Sequence, residues 1–399
     1  MKKYFLTNSQ ARQFLFLKHG LLGEHKFIGK QGALEFVKQA GCIQFDPVDI
    51  CGKNAEILLQ ARVKGFDKKI LDELLYEDRL LFDYPDKQLS IIPTEDWHFF
   101  SRFREWAKLN KMRSEEFIAL EKEAIAYIEK KGAVSSSEIP IEGNINWFSS
   151  IHWSGSDKAA RAVLEQLYST GELVIHHKKG TRKYYDLAAK HILQEILNAP
   201  EPLPDEFEHI KWRVLRRIGA VGFLWNKKSD AFLNIAGLTN EIRNKIFEIA
   251  IESGEIISIL IEGIKNDFFC LSSDEPILEE LINSPTPPKP RMELIAPLDC
   301  LMWDRKLIQA IFGFSYRWEI YTPENKRKHG AYTLPLIYGE NFIGRVDISR
   351  DTKSSTLFVK NIWFEEKIRN TKKLQNEVSK TFKRFAKFNN CRNISVSRN

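Results

Sequence analysis

Gln44 and Asp46 flank Phe45 in the segment Gly41-Cys42-Ile43-Gln44-Phe45-Asp46-Pro47-Val48-Asp49. In extended backbone, side chains two residues apart share a face. A short strand here predicts that the amide and the carboxylate point the same way, with Phe45 buried behind them. Pro47 has no N–H for a ladder bond, so it ends the strand. Such a pair can hold a water and stabilise a nearby positive charge. Those are the two needs of glycosidic-bond hydrolysis, whose transition state resembles an oxocarbenium ion. In that chemistry Asp46 activates the water and stabilises the sugar cation, and Gln44 orients water or substrate through its amide. The competing reading is structural: a carboxylate at the start of a turn caps backbone N–H groups or pairs with a local lysine.

Something must hold that pair in place, and the chain around it reads as α+β. A first module, residues 1–110, has a helix carrying Phe14, Leu17 and Leu21 behind a Thr7 or Ser9 cap. A second helix runs from 30 to 40 and is closed by Gly41. Helices follow at 54–62 and 68–78, then strands at 80–84 and 89–92 around the turn Asp86-Lys87. An aromatic helix, 95–110, ends the module. Helices followed by a two-stranded hairpin are the sequence form of a winged helix. Residues 111–200 repeat the pattern. They have helices at 116–131 and 157–169, the second expected under a serine cap at 135–137, and a hairpin around His176-His177-Lys178-Lys179-Gly180-Thr181-Arg182. A third module, 201–290, has helices at 207–218, 227–235 and 240–253, and a hairpin at 254–261 and 268–271. The proline-rich run Ser284-Pro285-Thr286-Pro287-Pro288-Lys289-Pro290 reads as a linker. Residues 291–399 then read as an antiparallel β domain, with strands at 317–322, 331–338, 342–348 and 354–359, ending in a basic helix at 366–388.

Net charge is +7 over 399 residues, a mild bias toward an anionic partner. Basic turns at Lys178, Lys179 and Arg182, at Lys326, Arg327 and Lys328, and at Lys87 are candidate phosphate contacts. The five cysteines are scattered without a Cys-x-x-Cys pair, which argues against a zinc site or a disulfide framework. No Walker, dinucleotide or His-Glu-x-x-His motif is present, so no cofactor and no metal are expected. The paired His176 and His177 sit beside lysines on a hairpin tip and read as solvated or phosphate-facing groups. No apolar run reaches the length of a membrane span, and a cytoplasmic, nucleoid-associated location and a monomeric state are expected.

Gln44-Phe45-Asp46 resembles the Gln-hydrophobic-Gln/Asp motif of the AlkZ/YcaQ family of DNA glycosylases, which unhook interstrand crosslinks. A second stretch is similar to that family's C-terminal signature. It comprises Ala296-Pro297-Leu298-Asp299, Trp303-Asp304-Arg305, Phe312-Gly313-Phe314, Glu319-Ile320-Tyr321-Thr322-Pro323, Lys326-Arg327, Leu334-Pro335 and Gly344-Arg345-Val346-Asp347. A third comprises Trp153, 160–167, Gly171-Glu172-Leu173 and Tyr184-Tyr185-Asp186-Leu187. The resemblance implies three tandem winged-helix modules in a C-shaped body, with a concave channel for double-stranded DNA and the Gln-Phe-Asp motif on its wall. It implies a monofunctional glycosylase that releases N7-alkylated purines, including interstrand crosslinks and bulky monoadducts, and leaves an abasic site. The aspartate version of the motif goes with broader activity than the version with two glutamines. One departure bears on substrate range: many members carry a tryptophan and a histidine where this chain has Pro85-Asp86-Lys87. A non-catalytic winged-helix regulator is the alternative, because it needs the modules but not Gln44 or Asp46.

Overall fold

The computed structural model describes residues 2–144, 158–284 and 286–397. Trp153, Asp157 and Pro285 of the motifs and elements above lie outside them. Helices and strands mix along the chain, as the α+β reading expects. Packing divides the chain into two compact units. One comprises Met1–Leu71, Pro85–Ile91 and Glu206–Asn399; the other comprises Asp72–Tyr84 and Ile92–Asp205. Neither is continuous in sequence, so segments far apart in the chain share one core.

The larger unit carries Gln44 and Asp46. Its first helix, Asn8–Lys18, starts under a capping box: Thr7 Oγ1 accepts from the Gln10 N–H, and the Gln10 side chain accepts from the Thr7 N–H at 3.0 Å. The helix buries Phe14, Leu15 and Phe16. The strand before it, Lys3–Leu6, joins Ile256–Ile261 in parallel register, Lys3 opposite Ser258 and Leu6 opposite Ile261. That sheet continues antiparallel through Phe268–Leu271 to Leu224–Trp225. The Gly29–Ala40 helix ends at Gly41, whose φ of +69° favours glycine. A Cβ there would also meet the Arg216 guanidinium at 2.9 Å. A five-stranded sheet ends the unit, in the order Met292–Leu294, Thr333–Tyr338, Asn341–Asp351, Thr356–Phe364, Asn393–Val396. Its last pair is parallel and the others antiparallel.

In the smaller unit, Ser114 caps the Glu115–Lys131 helix by accepting from the Phe117 N–H at 3.2 Å. The Ala159–Thr170 helix buries Ala160, Val163, Leu164 and Leu167, the stripe expected from its spacing. The hairpin Leu173–Lys179 and Arg182–Leu187 follows, with Lys179 opposite Arg182 at its tip.

Several elements differ from the sequence expectation for physical reasons. The strand carrying Gln44 is only Ile43–Gln44, so Asp46 lies in the following loop and Phe45 is half-buried rather than buried. The expected 227–235 helix is a single 3₁₀ turn, Asp230–Phe232, because Ser229 caps it and Asn234 takes φ +63° directly after. No strand forms over 317–322, because the Glu319 carboxylate takes the backbone donors that a neighbouring strand would otherwise meet. It accepts the N–H groups of Lys328 at 2.9 Å and His329 at 2.9 Å. The last helix starts at Lys372 rather than 366, under a Thr371 cap on the Leu374 N–H. Ser135–Ser137 form a turn rather than a helix cap, closed by Glu138 accepting the Ser135 N–H.

Candidate active site

Gln44 is held from both directions. Its backbone pairs with Ser90 of the Leu89–Pro93 strand, and its carbonyl accepts from Asn54 Nδ2 at 3.0 Å. Asn54 in turn accepts the Leu298 N–H at 2.9 Å, tying this strand to the Ala296-Pro297-Leu298-Asp299 segment. Gln44 is only 4 % exposed, yet among the described residues its Oε1 has no hydrogen-bond partner. A buried amide oxygen without a partner costs stability, and native cores rarely keep one without a use for it. A ligand donor or a bound water would satisfy it. Replacing Gln44 with leucine is therefore expected to leave the melting temperature at or slightly above the parent's, measured by calorimetry. A drop of several degrees would show the amide to be structural.

Asp46 is half-buried, and its Oδ1 accepts the Val48 N–H at 2.9 Å. The turn-cap reading of this residue thus holds for one oxygen. Among the described residues that N–H is the side chain's one hydrogen-bond partner, and no cation pairs with it. Burial raises its pKa, and the Val48 N–H opposes that rise. A carboxylate desolvated without a counter-charge is a stronger base than one on the surface, which suits it to taking a proton from water.

The Asp46 loop is clamped onto the five-stranded sheet. Arg350 N–H donates to Ile50 O at 3.0 Å, and Arg350 Nη2 meets Asp49 Oδ2 at 2.6 Å. The segment 318–332, which holds the predicted phosphate contacts Lys326, Arg327 and Lys328, is coupled to Asp46 electrostatically. After burial, the charge of Asp46 is the next cause raising the Tyr321 phenol; it also contributes to raising Tyr332. This segment carries Lys326 and Lys328, both exposed, and Arg327, half-buried with its Nε donating to Thr322 O at 2.8 Å. The segment that carries those three predicted contacts is the one whose Tyr321 feels the charge of Asp46. The Glu319 carboxylate fixes the segment from within.

Beneath the strand sits a buried ionic cluster. Asp86 accepts from Arg213 Nη2 at 2.6 Å and from Arg217 Nη2 at 2.6 Å. Burial alone would raise the Asp86 pKa, but Arg217, Arg213 and Arg216 together hold it well below the usual carboxylate range. Arg216 donates to Gly41 O at 2.6 Å, and Arg217 Nη1 lies 3.5 Å from Cys42 Sγ. Burial pushes the Cys42 thiol up to about 11, so it is a packing residue and not a nucleophile.

Two predicted phosphate contacts are corrected. Lys87 is 6 % exposed, with its Nζ 5.2 Å from the Trp303 ring centroid. Burial, and next the nearby Arg217, lower its pKa to about 8. Turn position suggested a solvated lysine, but the turn is buried around Asp86. Lys178 is likewise unavailable: its ammonium pairs with buried Asp83. Lys179 and Arg182 remain exposed at the hairpin tip, with Lys179 Nζ 4.9 Å from the Tyr184 ring. Strand alternation sends Lys178 and Lys179 to opposite faces, a signal that was available in the sequence.

Among the described residues, two groups have donor atoms close enough for a metal ion, all within 4.8 Å of one another: His19, Asp299 and Cys300, and His176, Asp186 and His191. In each the carboxylate already serves a cation, Arg62 at 2.6 Å in the first and Lys190 at 3.2 Å in the second. His191 also meets Asp186 at 2.9 Å. Both are accounted for as ion-pair networks.

The fold is that of a DNA glycosylase. The Streptomyces sahachiroi DNA glycosylase AlkZ has a similar structure, with a TM-score of 0.63 over all of both chains at 16 % sequence identity. The sequence model of the family described as DNA glycosylase AlkZ-like matches residues 37–388, and the chain belongs to that family. It is a DNA N-glycosylase, so the non-catalytic regulator considered from sequence is set aside. Among the described residues, no helix is long and apolar enough to cross a membrane.

Proposed function

We propose that the protein excises N7-alkylated purines from double-stranded DNA, including bulky monoadducts and interstrand crosslinks, by hydrolysis at C1′. The observation that carries this reading is Asp46, a half-buried carboxylate with a raised pKa, one turn bond and no cation partner among the described residues. Alkylation at N7 places positive charge on the base, so the base leaves without a strong general acid. What remains is to stabilise the sugar cation and deliver a water, which Asp46 does with Gln44 orienting the water or the lesion.

Water is the nucleophile in this mechanism, so the product is an abasic site and the enzyme is monofunctional. A crosslinked base stays tied to the other strand and cannot be extruded completely into a closed pocket. An open binding surface meets that constraint, and the helix-and-hairpin order of the elements supports winged-helix modules. Exposed Lys179, Arg182, Lys326 and Lys328 contact phosphate in this reading, with Arg327 beside them. The working form is a monomer acting on cytoplasmic, nucleoid DNA and using no cofactor.

The test is a labelled duplex carrying 7-methylguanine, or a nitrogen-mustard crosslink, incubated with enzyme and then with mild alkali. Strand breaks at the lesion are expected with alkali and none before it. Log affinity for the duplex should fall linearly with log salt, and reversing charge at Lys326 should flatten that slope. Intact strands across both substrates would refute the substrate assignment.

A further inference from the structure

Three aromatic rings run outward from the sheet that docks the Asp46 loop. Tyr332 is 3 % exposed and directly precedes Thr333, which lies opposite Asp347 in the sheet. Three residues further along that neighbouring strand, Arg350 anchors the Asp46 loop through Ile50 and Asp49. The ladder therefore starts at the strand that neighbours the one docking the Asp46 loop. Trp318 stands edge-on to Tyr332, with ring centroids 6.0 Å apart, and edge-on to Tyr321 at 5.7 Å. Tyr321 is 79 % exposed. A large aromatic that open to solvent, yet propped by a half-buried tryptophan, is held in place without being used in the core. Thr322 N–H donates to Glu319 O, and the Glu319 carboxylate anchors the far end of the same segment, so the ring rides on a rigid turn. Lys326 and Lys328 on that segment face solvent. Cations that track phosphate, together with an aromatic face, make the combination by which proteins hold unpaired nucleobases.

We propose that Tyr321, backed by Trp318, is the platform on which the alkylated base stacks while Asp46 acts on its sugar. The inference deepens the substrate reading above and rests on it. An N7-alkylpurine is cationic, and the faces of phenol and indole rings are electron-rich, so stacking gains a cation–π contribution that a neutral base lacks. The platform therefore selects for charge on the base rather than for the size of the alkyl group. Because it is an open surface and not a pocket, it receives a base that is still tethered to the opposite strand.

Binding and chemistry separate the two ideas in one experiment. Duplexes carrying a hydrolysis-resistant 2′-fluoro-7-methylguanosine, or plain guanosine at the same position, are titrated with the parent, Tyr321→Phe and Tyr321→Ala. Single-turnover excision is measured in parallel on the cleavable lesion. Loss of one base–aromatic stack corresponds to about a 5- to 150-fold loss of affinity. Tyr321→Ala should weaken binding to the cationic-base duplex within that range and leave the plain duplex unchanged. Tyr321→Phe should stay within about twofold of the parent, since the ring is what stacks. If Tyr321→Ala still discriminates cationic from plain duplex as the parent does, the platform is refuted and Tyr321 is left for a protein contact. If the parent releases no base, the substrate reading falls. The binding arm still decides the platform, because a Tyr321-dependent preference supports it and the absence of any preference overturns it.

Discussion

Asp46→Asn is expected to lower single-turnover excision of 7-methylguanine about 10²- to 10⁴-fold, the range that a general base usually supplies. Duplex affinity should stay within about twofold, because the change removes no phosphate contact and leaves an oxygen for the Val48 N–H. The stability change has a definite sign. Burial raises the folded-state pKa of Asp46 above its unfolded value. A group shifted that way contributes stability below the unfolded pKa and loses that contribution as pH rises through the folded pKa. At neutral pH the charged form is therefore a liability to the fold, and the asparagine variant should melt at or above the parent's temperature. Loss of rate with no loss of stability is the signature of a working carboxylate. The rate should also fall on acidification as Asp46 takes up a proton, at a pH above that of an ordinary surface aspartate. Gln44→Ala should cost less on a simple N7-methyl adduct, whose charged base departs readily, and more on a crosslink, where orientation is harder. Combining the two changes should cost less than the product of the separate losses if both residues serve one water. An asparagine variant that excises at the parental rate would reduce Asp46 to a turn residue.

The local features of this site were legible because they rest on backbone rules. Gly41 closes its helix because φ must turn positive there, and the periodicity of 54–62 and 240–253 places those helices within a residue of where they form. What periodicity does not carry is partnership. Lys3–Leu6 pairs with a strand some 250 residues away, and nothing in its four residues names that partner. Lys87 reads as a solvated turn lysine because neighbouring residues say nothing of Arg213 and Arg217 burying Asp86 next to it, or of Trp303 beside its ammonium. The motif around Tyr321 is legible but its exposure is not, since an exposed tyrosine and a core tyrosine read alike in one sequence. Its exposure and its neighbours are tertiary facts. Phe45 shows the limit even over three residues: alternation predicts a buried anchor, but the strand stops at Gln44 and the pattern stops with it.

Asp86→Ala is the second large effect expected, here on stability. Asp86 is fully buried between Arg213 and Arg217, both also buried. Removing one partner of such a cluster strands uncompensated charge in the core and typically costs about 3–5 kcal/mol. The loss should appear in urea unfolding as a lower midpoint with an unchanged slope. Because the arginines hold the Asp86 pKa below its unfolded value, its contribution is present above about pH 4 and is lost only as pH falls through the depressed folded value. The gap between parent and variant should therefore narrow in acid and stay constant from mildly acidic to neutral pH. The site would feel the change too, since Arg216 of the same helix holds Gly41 O and Arg217 lies against Cys42, directly before the Ile43–Gln44 strand. Charge is what distinguishes this account from simple loss of packing. Asp86→Asn keeps the shape and hydrogen-bonding oxygen but not the charge, so it should lose most of the same stability. Adding Arg217→Met to Asp86→Ala should recover part of it by removing one stranded cation. If Asp86→Asn is as stable as the parent, or if Arg217→Met only deepens the loss, the cluster is held by shape and hydrogen bonds rather than by charge.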